Sequence, residues 1–261
     1  MRETRERHQR KQRAHAATLT YVAVALAACS RPSLDELDTI FYDGDTRHVH
    51  CAVNLDEKAN IATEDILVAI DRAADRGEVI EFYAHKPGIT VSVERVETVL
   101  AHARDRGLAF RTYADLATRT SGPGIALGFD DHDIAGWTSL RPLFATYGAR
   151  VTFFLSGYGY TDEVARAQLR QLAADGHDIA AHGVDHLRAP PYVEENGMSA
   201  YLKREALPSI EILRDEGYPV TSFAYPFGAR TSELDDAILE HVSIVRSIDF
   251  PYSASIQSTC P

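Results

Sequence analysis

Two histidines four residues apart, His182 and His186, and two adjacent aspartates, Asp130 and Asp131, are the side chains of this sequence best suited to chemistry. Two imidazoles and one carboxylate can hold a divalent ion through three positions and leave room for water. The run His182-Gly183-Val184-Asp185-His186 puts both rings on one side of a turn. One aspartate can then bind the ion while the other accepts a proton. An ion held this way lowers the pKa of bound water from about 15.7 toward 7, so hydroxide becomes available near neutrality. Taken singly, each pair is ordinary: an Asp-Asp pair after a strand commonly caps a helix, and an isolated His-x-x-x-His is commonly incidental. Their conjunction, in order and at strand ends, points to metal-assisted hydrolysis.

The elements that must position these groups alternate along the chain. Short β-rich runs lie near 48–54, 78–85, 108–113, 124–130, 150–156, 177–182, 220–226 and 243–249, and apolar residues recur at helical spacing over 62–76, 92–106, 135–147, 162–175, 199–215 and 231–241. Strands interleaved with helices imply a mostly parallel sheet. In an α/β barrel the loops after the strands converge on one face, where polar residues read as catalytic. Here Phe129-Asp130-Asp131-His132, His182 to His186, Tyr225-Pro226-Phe227-Gly228 and Phe82-Tyr83-Ala84-His85 all sit at such ends. Gly107, Gly176 and Gly217 fall where left-handed helix caps are expected.

The chain has 261 residues, 45% of them apolar, enough for one large α/β domain, and a formal net charge of −11. Residues 1–13 hold six basic side chains against Glu3 and Glu6, a local charge of +4, which leaves −15 on the rest. Such an acidic body disfavours nucleic acid, whose phosphates need a basic surface. The basic stretch runs into an apolar one from Thr18 to Ala28, about eleven residues against the roughly twenty of a spanning helix. It reads as a signal peptide over 1–28. Leu26-Ala27-Ala28-Cys29-Ser30 resembles the bacterial lipoprotein cleavage box, making Cys29 the lipidated first residue of a cell-envelope protein, periplasmic or otherwise extracytoplasmic and held at a membrane. Ser30 weakly favours the outer membrane. Residues 29–47 read as a polar tether, and 48–261 as the barrel.

The segment 124–228 resembles the polysaccharide deacetylase family, the NodB-type domain of carbohydrate esterase family 4. That family carries Thr-Phe/Tyr-Asp-Asp, His-Ser/Thr-x-x-His and Arg-x-Pro-x-Gly in a distorted (β/α) barrel of seven to eight mostly parallel strands. The resemblance implies that Asp130 is the catalytic base and that Asp131, His182 and His186 bind a divalent metal, zinc before cobalt, manganese or nickel. It implies that Pro226 and Gly228 shape the groove wall and that the Phe227 N–H faces the tetrahedral oxyanion. Four positions depart from the pattern: Gly128 for the threonine, His132 for a glycine, Gly183 for Ser/Thr, and Ala224 for the arginine that braces the base. Arg230 and Arg246 are candidates to replace that arginine. The Tyr-Pro-Phe-Gly form without arginine resembles deacetylases of poly-N-acetylglucosamine.

After Gly228 the chain has only about 33 residues, too few for the family's last strands, whereas 48–120 resembles them. Glu81-Phe82-Tyr83-Ala84-His85 is similar to the strand whose histidine protonates the leaving group, so a circular permutation is expected, with His85 as general acid ahead of a metal-binding core at 121–261. Cys51 and Cys260 then fall near each other and can form a disulfide. The implied reaction removes N-acetyl or O-acetyl groups from a polysaccharide such as an N-acetylglucosamine polymer or peptidoglycan. Trp137, Tyr158, Tyr160 and Tyr192 are candidates to stack on sugar rings, the loop 156–160 first among them. Rival readings are an amidase for small non-sugar amides, a silent carbohydrate-binding lipoprotein, and a non-haem iron oxygenase, which the second aspartate disfavours.

Overall fold

The structure is a computed structural model that describes residues 33–249 and 260–261. Its strands are β1 Phe41–Tyr42, β2 Val49–Asn54, β3 Val79–Ala84, β4 Ala109–Arg111, β5 Gly124–Asp131, β6 Thr152–Leu155, β7 Asp178–Ala181, β8 Ser222–Ala224 and β9 Ile244–Asp249. The helices are α1 Thr63–Arg76, α2 Val93–Asp105, α3 Tyr113–Ala117, α4 Ile134–Ser139, α5 Arg141–Tyr147, α6 Glu163–Ala174, α7 Ala189–Asn196, α8 Met198–Tyr201, α9 Leu207–Asp215 and α10 Ser232–Leu239.

Seven parallel strands close a barrel in the order β5-β6-β7-β8-β9-β2-β3, and β3 returns to β5 with Val79 opposite Gly124 and Ala84 opposite Phe129. Alternation decides what faces where. Ile125, Leu127, Phe129, Phe153, Leu155, Ile179, Ala181, Phe223 and Val245 point outward into the main core beneath the helices. Ala126, Phe154, Ala180, Ala224 and Ile244 point inward. Asp130 and His182 have the same inward parity at or beside the C-terminal ends of their strands, and Arg246 has it midway along β9, level with the last residue of β8.

Three expectations need correction. The polar tether over 29–47 is packed structure from Leu34 onward: Leu34, Ile40, Phe41 and Tyr42 are buried, and β1 pairs antiparallel with β3. The Arg72 guanidinium lies 3.7 Å from the Phe41 ring centre and donates to Asp35 O at 2.8 Å. Elements of two or three residues are too short to display a period. The run at 108–113 is no barrel strand: β4 pairs only with the first half of β5, and Thr112 starts α3 by accepting from the Asp115 N–H at 3.1 Å. The helix expected at 199–215 contains a wide π-type turn at Leu202–Ala206.

Cys51 and Cys260 form a disulfide with a Cα separation of 6.0 Å. No helix among the described residues is long and apolar enough to cross a membrane. The signal-peptide segment and Cys29 lie outside the described residues.

Candidate metal centre and catalytic mouth

Asp131, His182 and His186 meet at the C-terminal mouth of the barrel, where one ligand atom from each lies within 4.8 Å of the others. Asp131 Oδ1 is 3.2 Å from His186 Nε2 and 3.7 Å from His182 Nε2. Ligands about 2.0–2.1 Å from a tetrahedral ion stand roughly 3.3 Å apart, and the two separations from Asp131 Oδ1 are close to that spacing. His182 Nδ1 faces the Ala224 carbonyl at 2.8 Å, which makes Nδ1 the donor and leaves Nε2 a lone pair for the ion. Burial acts to raise the Asp131 pKa, but the neighbouring imidazoles of His182, His186 and His85 outweigh it and hold the carboxyl well below the usual range.

Backbone strain collects here. Asp131, His186 and Phe227 have φ of 80°, 57° and 60°, a region L-residues rarely occupy. At Asp131 the left-handed turn breaks the pleat, so two consecutive carboxylates serve one mouth instead of opposite faces. At Phe227 it turns the ring outward, 46% exposed, with the Arg188 guanidinium 4.7 Å from its centre. Gly228 closes that turn against β9, where an added Cβ would lie 2.2 Å from Ile248 Cγ1. The turn's own bonds run from Gly228 N–H to Tyr225 and from Ala229 N–H to Pro226, leaving the Phe227 N–H outside them.

Asp130 is buried, and its two oxygens differ. Oδ2 accepts from Arg246 Nη2 at 2.6 Å, while Oδ1 has no partner among the described residues. Arg246 lies on β9 directly opposite Ala224 of β8, so the guanidinium missing from position 224 comes from the neighbouring strand at the same level. Its carbon sits 5.1 Å from the Tyr83 ring centre and 5.0 Å from that of Phe154. The other candidate, Arg230, is engaged by Asp235 at 2.7 Å. Phe154 also accounts for Gly128, since a Cβ there would meet the Phe154 ring at 3.3 Å. His132, the third departure, turns its Nδ1 to the Ser156 carbonyl at 2.6 Å and so pins the loop after β5.

Across the mouth His85 follows the end of β3, and its Nδ1 is 2.6 Å from Asp56 Oδ2. Asp56 is fully buried, receives the His85 backbone N–H at 3.2 Å and the Thr90 hydroxyl at 2.9 Å, and was not singled out in the sequence. Its position just past β2 was the available signal. Burial acts to lower the His85 pKa; the Asp56 hydrogen bond, with Asp130, Asp56 and Asp131 as negative neighbours, outweighs it, so the imidazole is held above its ordinary value.

The aromatic candidates separate. Trp137 and Tyr158 are buried, Trp137 stacking on Phe153 and donating its indole N–H to the His85 carbonyl at 3.2 Å, so they are packing residues and not sugar platforms. Within the 156–160 loop, Tyr158 docks on the core. Tyr192 is half-buried against Tyr201. Tyr160 is 75% exposed and donates to Asp185 Oδ1 at 3.0 Å.

Seven parallel strands closed into a barrel, with an Asp-His-His cluster and a second buried aspartate at the mouth, give the NodB-like (β/α) barrel fold. Residues 117–242 match the family described as polysaccharide deacetylase. The curated relative YxkH of Bacillus subtilis (strain 168) is 25% identical over 113 residues, 42% of this chain and 38% of its own length. The chain thus spans well under half of that relative. Among solved structures, IcaB from Ammonifex degensii has a TM-score of 0.53 at 20% identity, over 66% of this chain and 85% of its own. The Streptococcus pyogenes deacetylase PplD, in complex with acetate, has a TM-score of 0.51 at 15% identity, over 65% and 91%. Both likenesses are of fold.

Proposed function

We propose that this chain is a metal-dependent deacetylase that hydrolyses N-acetyl or O-acetyl groups of a polysaccharide such as an N-acetylglucosamine polymer or peptidoglycan. The observation that carries the reading is the division of labour between adjacent carboxylates: Asp131 joins the two imidazoles, while Asp130 keeps one unpartnered oxygen and one bound to Arg246. Asp131, His182 and His186 would hold a divalent ion, zinc in this proposal, which would supply Lewis acidity toward the acyl carbonyl and the attacking water. Asp130 Oδ1 takes up the proton of that water. The Phe227 N–H donates to the oxyanion, a contribution typically worth about 3–4 kcal/mol. His85, whose pKa is held above its ordinary value with Asp56 at its Nδ1, gives its proton to the departing amine or alkoxide.

The reading includes a circular permutation and a lipid anchor. The strand order supports the first, because β2 and β3 fill the gap between β9 and β5 and bring His85 to the mouth. The anchor rests on the Cys29 sequence alone, and the Cys51–Cys260 disulfide accords with an oxidising compartment. Changing Cys29 to serine should move the protein from the membrane to the soluble fraction, and unchanged fractionation would remove the anchor from the proposal.

Acetate release from N-acetylglucosamine oligomers, measured with bound zinc on wild type and Asp130→Asn, tests the activity. We expect turnover in wild type and a loss on the order of 10²–10⁴-fold in the variant with zinc retained. Zinc bound without turnover on any glycan would favour a silent carbohydrate binder, and turnover confined to small amides would favour an amidase.

A further inference from the structure

Glu205 is a fully buried carboxylate that the proposed reaction does not use. It lies in the wide turn Leu202–Ala206, where the Leu207 N–H reaches back to the Leu202 carbonyl. Pro208 explains the turn: it has no N–H for the Arg204 carbonyl, and its ring would crowd that carbonyl in a regular helix. Wide turns of this kind recur at functional sites. Two consecutive residues of the turn reach the loop between the histidines. Arg204 pairs with Asp185 at 3.1 Å, and Glu205 accepts from the Asp185 N–H at 2.8 Å and the Leu187 N–H at 2.7 Å. These are the amides on either side of His186, whose φ is 57°.

We infer that Glu205 is the positioning residue of the metal loop, acting through the backbone of Asp185 and Leu187 to hold His186 Nε2 toward Asp131. The inference rests on the three-ligand reading above. It also explains Gly183: at φ 85° an added Cβ would lie 2.2 Å from Glu205 Oε1, so the carboxylate fills the space of a side chain at 183. A hydroxyl at that position in the family pattern is replaced by a carboxylate from a distant helix. A buried, otherwise unused carboxylate costs free energy unless its oxygens are satisfied, and here the loop amides satisfy them.

The test uses the full chain stripped of metal and titrated with cobalt(II), followed by its visible absorption, together with amide hydrogen exchange of the metal-free protein. Glu205→Ala and the isosteric Glu205→Gln should weaken cobalt binding about 10- to 100-fold. Exchange at Asp185 and Leu187 should quicken while β7 amides stay protected, which separates loop positioning from general unfolding. Gly183→Ala supplies a second arm: it should weaken cobalt binding more than about tenfold in wild type but much less beside Glu205→Ala, since the left-handed strain is common to both and only the clash differs. Equal cobalt affinity in wild type and both Glu205 variants overturns the inference and leaves the metal reading intact. No cobalt bound by wild type overturns the metal reading, and the inference with it.

Discussion

Asp56 and His85 show how a site depends on a residue that never meets substrate. The pair joins a fully buried carboxylate to an imidazole at 2.6 Å, with Lys58, Asp130 and Asp131 as the surrounding charges. Burial opposes ionisation of both groups, yet their mutual hydrogen bond leaves the Asp56 pKa lowered and the His85 pKa raised. The signs then follow. The raised His85 contributes stability that is complete below its ordinary 6.5 and is lost as pH rises through the raised value. The lowered Asp56 contributes stability present above its ordinary 3.8 and lost as pH falls through the depressed value. Asp56→Asn should therefore destabilise the protein most between those two limits and progressively less above them, measured by urea unfolding against pH. In the activity profile the same change should move the alkaline limb to lower pH and forfeit part of the 10²–10⁴-fold that a general acid typically contributes. An unmoved limb would take the proton-donor role away from His85.

At the scale of elements, the barrel has moved its bracing arginine sideways by one strand. Ala224 and Arg246 are register partners in parallel strands, so their side chains point into the barrel at one height. Phe154 and Tyr83 flank the guanidinium, and Gly128 leaves room for Phe154. Removing Arg246 alone leaves Asp130 buried without its cation. Arg246→Ala should then cost about 3–5 kcal/mol in stability and on the order of 10²-fold in acetate release, because Oδ1 is no longer aimed. The double change Arg246→Ala with Ala224→Arg returns a guanidinium to the same level and should recover much of the activity. If the double variant is no better than Arg246→Ala, the bracing role is tied to the β9 position and its aromatic flanks. Elements were largely legible from periodicity, since each barrel strand falls within or beside a β-rich run. The arginine was not, because choosing between Arg230 and Arg246 requires the register of β8 on β9, which no local spacing contains.

For the whole molecule, closure of the barrel is what would make the proposed permutation of chain order workable. The seven strands form one circuit, so the chain can be opened between any two of them without altering which strands touch. Pro261 shares a surface cavity with Asp38, Thr39 and Cys51, and the disulfide holds Cys260 at β2. The described C-terminal end therefore lies beside Asp38 and Thr39, a few residues along from the described N-terminal end. A variant joined from 261 to 33 by a short Gly/Ser linker and opened in the exposed loop at 120–122 should fold, keep cobalt binding close to wild type and melt cooperatively. Failure of that variant to fold while a control opened at Gly44 succeeds would argue against a permuted origin.

By itself the sequence determined the chemical types and their order: a carboxylate pair at one strand end, two histidines at another, a histidine after a third, and the helix and strand periods that place them on one face. Those are local properties, written in residue identity and spacing. Only the tertiary structure decided that Arg246 braces Asp130, that Asp56 holds His85, that Glu205 reaches the loop carrying His186 and that 34–42 packs on the barrel. Each joins residues far apart in the chain, or elements too short to carry a period, and such pairings arise only when the sheet closes and brings distant strand ends to one mouth.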